Sequence, residues 1–162
     1  MGPTLTAMRW RTRRLFPFVG LALALLVAAA SAPPPSPSLS TVENDVYARH
    51  FTLRAANHLP QLVLDDSMSA QAQAWADTLA KPGNDCNALQ HSNIRAEYPG
   101  FSAAENIACV SGCPADASVA WNLWLNSPGH YVNLANPAFE RIGIGVTCNE
   151  SVEMYVVQFR SP

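Results

Sequence analysis

The side chains with the most reactive chemistry are four cysteines, Cys86, Cys109, Cys113 and Cys148, and four histidines, His50, His58, His91 and His130. In a chain whose amino terminus reads as an export leader, an even cysteine count implies two disulfides among three pairings. We expect Cys109 with Cys113, closing a small loop through Val110, Ser111 and Gly112, and Cys86 with Cys148, tying the middle of the chain to its last hairpin. The C-x3-C spacing also suits a metal, but zinc knuckles come as paired C-x2-C elements, which are absent. With all four paired, no thiol is left as a nucleophile. There is no G-x-S-x-G elbow, no H-E-x-x-H and no phosphate loop. Asn149-Glu150-Ser151 is an N-glycosylation sequon, with meaning only in a eukaryotic secretory pathway. His50 reads as a packing or capping residue of the first helix, and His58 as a surface residue.

The elements that must position these groups begin after the leader. Arg9, Arg11, Arg13 and Arg14 precede an uncharged, leucine-rich run over residues 15–30 that ends in small residues. This is the layout of a signal peptide, residues 1–30, with cleavage expected after Ala30. The apolar run is shorter than the ~20 residues that span a bilayer. Thr12-Arg13-Arg14-Leu15-Phe16 also resembles a twin-arginine export signal. Residues 31–40 form a Pro/Ser-rich linker, stiffened by fixed proline torsions. The leader holds four of the ten basic residues and none of the twelve acidic ones, which leaves a net charge of −6 behind it. An acidic domain without a basic run disfavours nucleic acid and purely electrostatic docking on anionic lipid. Membrane attachment is expected only through an uncleaved leader.

At 162 residues the chain has room for one ordinary domain, expected over residues 41–162. Ser40 and Glu43 fit a capping box, and Val42, Val46, Leu53 and Asn57 recur at helical spacing. A second helix, capped by Asp66 or Ser67, should bury Met68, Ala72, Trp75 and Leu79 and stop at Pro82-Gly83. Residues 105–110 read as a strand. A helix near Pro114 should face the core with Val119, Leu123 and Trp124, with Trp121 in a satellite cluster, and Ser127-Pro128 should cap a further short helix. Ile142, Ile144 and Val146 alternate with Gly143 and Gly145, a strand with one buried face and one face open to close approach. Residues 154–159 make the returning strand. Helices throughout and strands in the carboxy-terminal half predict an α+β sandwich.

Six pieces in order resemble the CAP family, named for cysteine-rich secretory proteins, antigen 5 and plant pathogenesis-related 1 proteins. His50-Phe51-Thr52-Leu53-Arg54 is similar to its H-N-x-x-R element, with Phe51 in place of Asn, and Ala74-Trp75-Ala76 to its second-helix region. Cys86 followed by His91-Ser92 resembles the family's Cys and His-Ser. Glu105-Asn106-Ile107-Ala108 resembles its E-N-[IL]-A signature, Ser127-Pro128-Gly129-His130-Tyr131 its G-H-Y motif in compact form, and residues 142–146 its late G-[IV]-G-[VA] strand.

The resemblance implies a three-layer α-β-α sandwich whose cleft holds two histidines and two acidic residues, sometimes with a divalent metal. His91, Glu105 and His130 fall on three of those positions, while Ser127 or Asn126 stands where the second acid belongs. The implied binding cleft is therefore His91, Glu105, His130, Ser127 and Asn126. His91 and His130 are the metal candidates, zinc being suited to imidazole with an open position for water. Glu105 is the sole candidate for catalysis, as a base, and Ser127 is expected to act as a helix cap. The function implied is a secreted, non-catalytic module that binds a sterol, a fatty acid or an extracellular protein. A hydrolase using zinc-bound water and a structural cell-wall or matrix protein are the alternatives.

Overall fold

The computed structural model describes residues 40–162, so the expected leader and nearly all of the linker lie outside the described residues. Ser40 opens the first helix, α1 (Thr41–Ala56), with the expected capping box: its hydroxyl accepts from Glu43 N, and Glu43 Oε2 accepts from Ser40 N at 2.6 Å. The short strand β1 (Val63–Leu64) and helix α2 (Asp66–Leu79) follow. Asp65, rather than Asp66 or Ser67, caps α2, its Oδ1 accepting from Ser67 N and Met68 N, each at 3.1 Å. A 3-10 turn (Cys86–Ala88) and helix α3 (Ile94–Glu97) lead to β2 (Ala103–Ser111). Helices α4 (Ala117–Leu125) and α5 (Pro128–Leu134) precede the hairpin of β3 (Arg141–Cys148) and β4 (Val152–Arg160).

The sheet order is β1-β3-β4-β2, parallel between β1 and β3 and antiparallel elsewhere. Strand β4 lies between β3 and β2 and is buried on both faces. On one face Tyr155, Val157 and Phe159 join Ile142 and Ile144 beneath α1, α4 and α5. On the other, Met154 and Val156 meet Ala72, Ala76 and Leu79 of α2. The three layers are therefore helix, sheet, helix, as the resemblance implies.

The close packing of α2 follows from the glycines of β3. A Cβ on Gly143 would lie 2.3 Å from the Met68 carbonyl carbon, and one on Gly145 2.3 Å from Gln73 N, so the helix backbone rests directly on the strand. Along its middle only small side chains fit beneath it, with Met68 and Leu79 buried at its two ends. Ala72 and Ala76 take the core positions, and Trp75, expected there, is turned to the flank with its indole N–H on Gln90 O at 3.0 Å. Helix α4 is rotated in a similar way: Ala117, Ala120, Trp121 and Trp124 are buried, while Val119 and Leu123 are exposed. Two indoles bury more apolar area than Val and Leu and so win the core face. Trp124 also donates to Ile107 O at 3.0 Å, which satisfies its N–H.

The buried stripe of α1 is Glu43, Val46, His50 and Arg54, three of the four polar. His50 is fully buried as a packing residue among Trp121, Trp124 and Phe159, its Nδ1 donating to Val46 O at 2.8 Å. His58 is exposed.

The disulfides differ from the expected pairing. Cys86 bonds Cys109, and Cys113 bonds Cys148, with Cα separations of 5.4 and 5.6 Å. Sheet order explains the exchange. Cys109 sits on the edge strand β2, beside the 3-10 turn that carries Cys86, whereas Cys148 lies beyond β4. Beyond β2 the chain turns at Gly112, whose N donates to Ser151 O at 2.7 Å, and this carries Cys113 over the hairpin end to Cys148. Asn149 holds the same end: Oδ1 accepts from Ser151 N and Val152 N, and Nδ2 donates to Asn84 O at 2.8 Å and toward Lys81 O at 3.4 Å.

Two outcomes follow. The bridged cysteines are 23 and 35 residues apart. Loop entropy grows only logarithmically, so replacing either pair by serine should cost a similar ~3–4 kcal/mol in denaturant unfolding, and non-reducing peptide mapping should recover 86–109 and 113–148. Burial lowers the His50 pKa from 6.5 to about 4. Below pH 6.5 the unfolded chain therefore takes up a proton that the folded chain refuses. The stability tied to this residue is whole above that pH and lost as pH falls toward 4, by roughly 3 kcal/mol in all. Unfolding at pH 7 and pH 4.5 should show that slope in the parent and its loss in His50→Gln.

Candidate functional site

Side chains of successive strand residues point to opposite faces. On the edge strand β2 this sends Glu105 and Asn106 to opposite sides of the sheet, each gripping a different segment. Glu105 Oε1 accepts from His91 Nδ1 at 2.8 Å and from Ser92 N at 3.0 Å, fixing the loop before α3. Asn106 Nδ2 donates to His130 O at 3.1 Å, and its Oδ1 accepts from Asn133 Nδ2 at 2.9 Å, fixing α5. The two walls thus meet around the free edge of β2. His91 and His130 come near enough for their charges to oppose one another: burial first, and His91 second, lower the His130 pKa.

Glu105 is buried, its side chain 1% exposed, whereas His91 is 57% exposed. The second oxygen of Glu105 accepts from Gln158 Nε2 at 3.1 Å, and the same amide nitrogen donates to Glu97 Oε2 at 2.9 Å. Gln158 Oε1 in turn accepts from the Tyr98 hydroxyl at 2.7 Å. Burial, reinforced by Glu97, pushes the Tyr98 phenol far above its usual range, so its hydroxyl stays a donor. Glu97, Tyr98 and Gln158 were not singled out from the sequence. Gln158 carries a readable signal, a lone amide in the run Met154–Phe159 that is otherwise apolar or aromatic. Glu97 carries none, because it arrives on α3, which the sequence pattern does not announce.

The other expected cleft residues, Asn126 and Ser127, lie at the junction of α4 and α5. Asn126 is exposed and donates to Asn122 O at 2.8 Å. Ser127 occupies the N-cap position of α5 with extended backbone, yet its side chain makes no capping hydrogen bond. Its carbonyl does the local work, accepting from Tyr131 N at 2.8 Å. Pro128 at the helix start removes one of the donors a cap would have satisfied.

Among the open depressions on the surface of the described residues are these three. One of about 400 Å³ runs between α1 and α4, lined by Asp45, Arg49, Leu53 and Trp121 among others. One of about 360 Å³ follows α2, past Trp75 and Glu97. The third, about 350 Å³, is lined by Leu125, Asn126, Pro128 and Tyr131 and is the most apolar. His91 and His130 line none of them.

As a metal site the cleft offers two imidazoles. His130 Nδ1 is buried without a hydrogen-bond partner, and His91 has one ring nitrogen not engaged by Glu105. Both oxygens of Glu105 are occupied, and among the described residues no group of three or more His, Cys, Asp or Glu converges to hold an ion. The donors therefore supply two of the three protein ligands usual in a catalytic zinc site. Since the Ser127 hydroxyl caps nothing, Ser127→Ala should change stability by less than ~0.5 kcal/mol, not the ~1 kcal/mol of a lost cap, in thermal unfolding of the two proteins side by side.

Comparison with known proteins agrees with this architecture. The model of the cysteine-rich secretory protein family, CAP, matches residues 47–159. The uncharacterized protein YkwD of Bacillus subtilis is 30% identical over 132 residues, 75% of this chain and 48% of that protein, so the chain spans about half the length of this relative. Among solved structures, an extracellular protein containing a SCP domain from Bacillus anthracis superposes with a TM-score of 0.58 at 24% identity, over 81% of this chain and 45% of that one. An outer surface protein of Borrelia burgdorferi superposes with a TM-score of 0.59 at 22% identity, over 74% of this chain and 92% of that one. With its sandwich, its Glu-Asn strand and its paired histidine walls in place, this chain belongs to the cysteine-rich secretory protein, or CAP, family.

Proposed function

We propose that the chain is an exported, non-catalytic binding module that takes a small apolar ligand, a sterol or a fatty acid, on the surface beside its cleft. The observation that carries this reading is the occupancy of Glu105, whose two oxygens together accept from His91, Ser92 N and Gln158. A general base must be free to accept a substrate proton, and this buried carboxylate already has three of its about four acceptor positions committed to the loop and to Gln158. The apolar depression at Leu125, Pro128 and Tyr131 lies on α5 and its approach, the helix that also carries His130. Exposed Leu123 and Val132 extend apolar surface on the same two helices. Two disulfides suit an oxidising compartment, in keeping with an export leader.

A divalent ion, if bound, would be held by His91 and His130, where it would supply positive charge to the polar end of a ligand. A zinc-dependent hydrolase is the second reading. The two unengaged imidazole nitrogens favour it, and the committed state of Glu105 counts against it. The exported chain titrated with radiolabelled cholesterol and with palmitate should show saturable binding of at least one. Tyr131→Asp and Leu125→Asp should each weaken it by about tenfold, the effect of a charge placed in an apolar contact. Absence of saturable binding to both ligands would sink the lipid reading.

A further inference from the structure

The hydrogen bonds behind His91 form a chain with a fixed direction. The Tyr98 hydroxyl is protonated and donates, so Gln158 Oε1 is the acceptor. The other end of that amide must then be the NH2 group, which faces Glu97 Oε2 and Glu105 Oε2. An amide turned the other way would set its oxygen against two carboxylates and leave the phenol facing N–H groups, so the assignment follows from donor and acceptor chemistry alone. Glu105, held at Oε2 by the amide and at Oε1 by Ser92 N, presents that Oε1 to His91 Nδ1 as an acceptor. A neutral imidazole carries one proton, and an acceptor at Nδ1 draws it there.

We infer that Gln158 is a positioning residue: by anchoring Glu105 it fixes His91 as the Nδ1–H tautomer and turns a bare Nε2 lone pair toward the cleft. Gln158 is fully buried and cannot touch a ligand, so it acts only through Glu105. Glu97 shares the amide and supplies the second acidic group of this region, from α3 and not from the segment before His130. The chemical consequence deepens the cleft reading on which it rests. At His91 the cleft offers an electron pair, suited to a ligand hydroxyl, an N–H donor or a cation. The oxygen of an anionic head group would meet that lone pair with Glu105 behind it.

The test needs no ligand, so its failure and the failure of lipid binding are separate results. The exported chain labelled with 15N at histidine is examined by NMR at pH 8, where free imidazole is neutral. The parent should show a pyrrole-type nitrogen at His91 Nδ1 and a pyridine-type nitrogen at Nε2. Gln158→Met keeps the side-chain length but donates nothing, and Tyr98→Phe keeps the ring but frees the amide oxygen. In Gln158→Met, where Glu105 is no longer held in line with His91 Nδ1, the ratio of Nδ1–H to Nε2–H should fall by about tenfold, the effect of losing the charge-assisted His91–Glu105 bond, with a smaller shift the same way in Tyr98→Phe. Tyr98→Phe keeps the test decisive if the methionine variant does not fold. A parent protonated at Nε2, or a tautomer ratio unchanged in every variant that folds, overturns the proposal.

Discussion

The guanidinium of Arg54 is the constraint on which the arrangement of the helices rests. It is fully buried, and its bonds go to backbone carbonyls: Pro60 at 2.7 Å, Leu134 and Asn136 at 3.0 Å, and Phe139 at 3.3 Å. Among the described residues no carboxylate forms an ion pair with it, so its charge is met by carbonyl dipoles. Hydrogen bonds to a charged group contribute ~1.5–3 kcal/mol each, and a buried charge stripped of them is far more costly than any of the apolar contacts nearby. The cation therefore dictates where three chain segments end. It closes α1, sets the bend at Pro60 before β1, and clamps the exit of α5 into β3. Because α5 carries His130 one turn before Leu134, a buried arginine on α1 fixes one wall of the cleft.

The other wall depends on the sheet. Gln158 pairs with Glu105 on one side and with Gly143 on the other, so one row across three strands runs glycine, amide, carboxylate. The glycine end lets α2 descend onto the sheet, and the amide and carboxylate take up the polar end of the same row. Apolar packing and polar satisfaction are thus divided along a single line. Strand β4 can be wholly buried while carrying Gln158 and Glu153, because each has its partners there: Glu153 accepts from Ala115 N and the Tyr155 hydroxyl.

How much of this was legible in the sequence follows from which signals are local. The Ser40–Glu43 box, the glycine alternation of β3 and the Ser-Pro start of α5 depend on residues a few positions apart, and each sits where its pattern places it. Helix faces were harder to read. Trp75 and Leu123 have the hydropathy of core residues, but the closeness of α2 to the sheet and the bulk of Trp121 decide who is buried. The polar stripe of α1 gave no hydropathy signal, since Glu43, His50 and Arg54 are buried by partners distant in sequence. The disulfide pairing is not legible in cysteine spacing, because it depends on strand order. In the site, His91, Glu105 and His130 could be picked out by resemblance. Glu97 could not, because its place depends on a one-turn helix and a bond to residue 158.

The clamp at Asn149 bears on covalent modification. Its side-chain amide is the acceptor group of the sequon Asn149-Glu150-Ser151, and in the folded hairpin that nitrogen donates its hydrogens to the turn carrying Lys81 and Asn84. Attaching a sugar replaces one of those hydrogens and sets a bulky group where the turn now lies. In a eukaryotic secretory pathway the sequon would therefore be open to a glycosyltransferase only before the β3–β4 hairpin docks on that turn. A glycan added in that interval would hold the hairpin end off the Lys81–Asn84 turn, so the order of folding and modification would decide which contact forms.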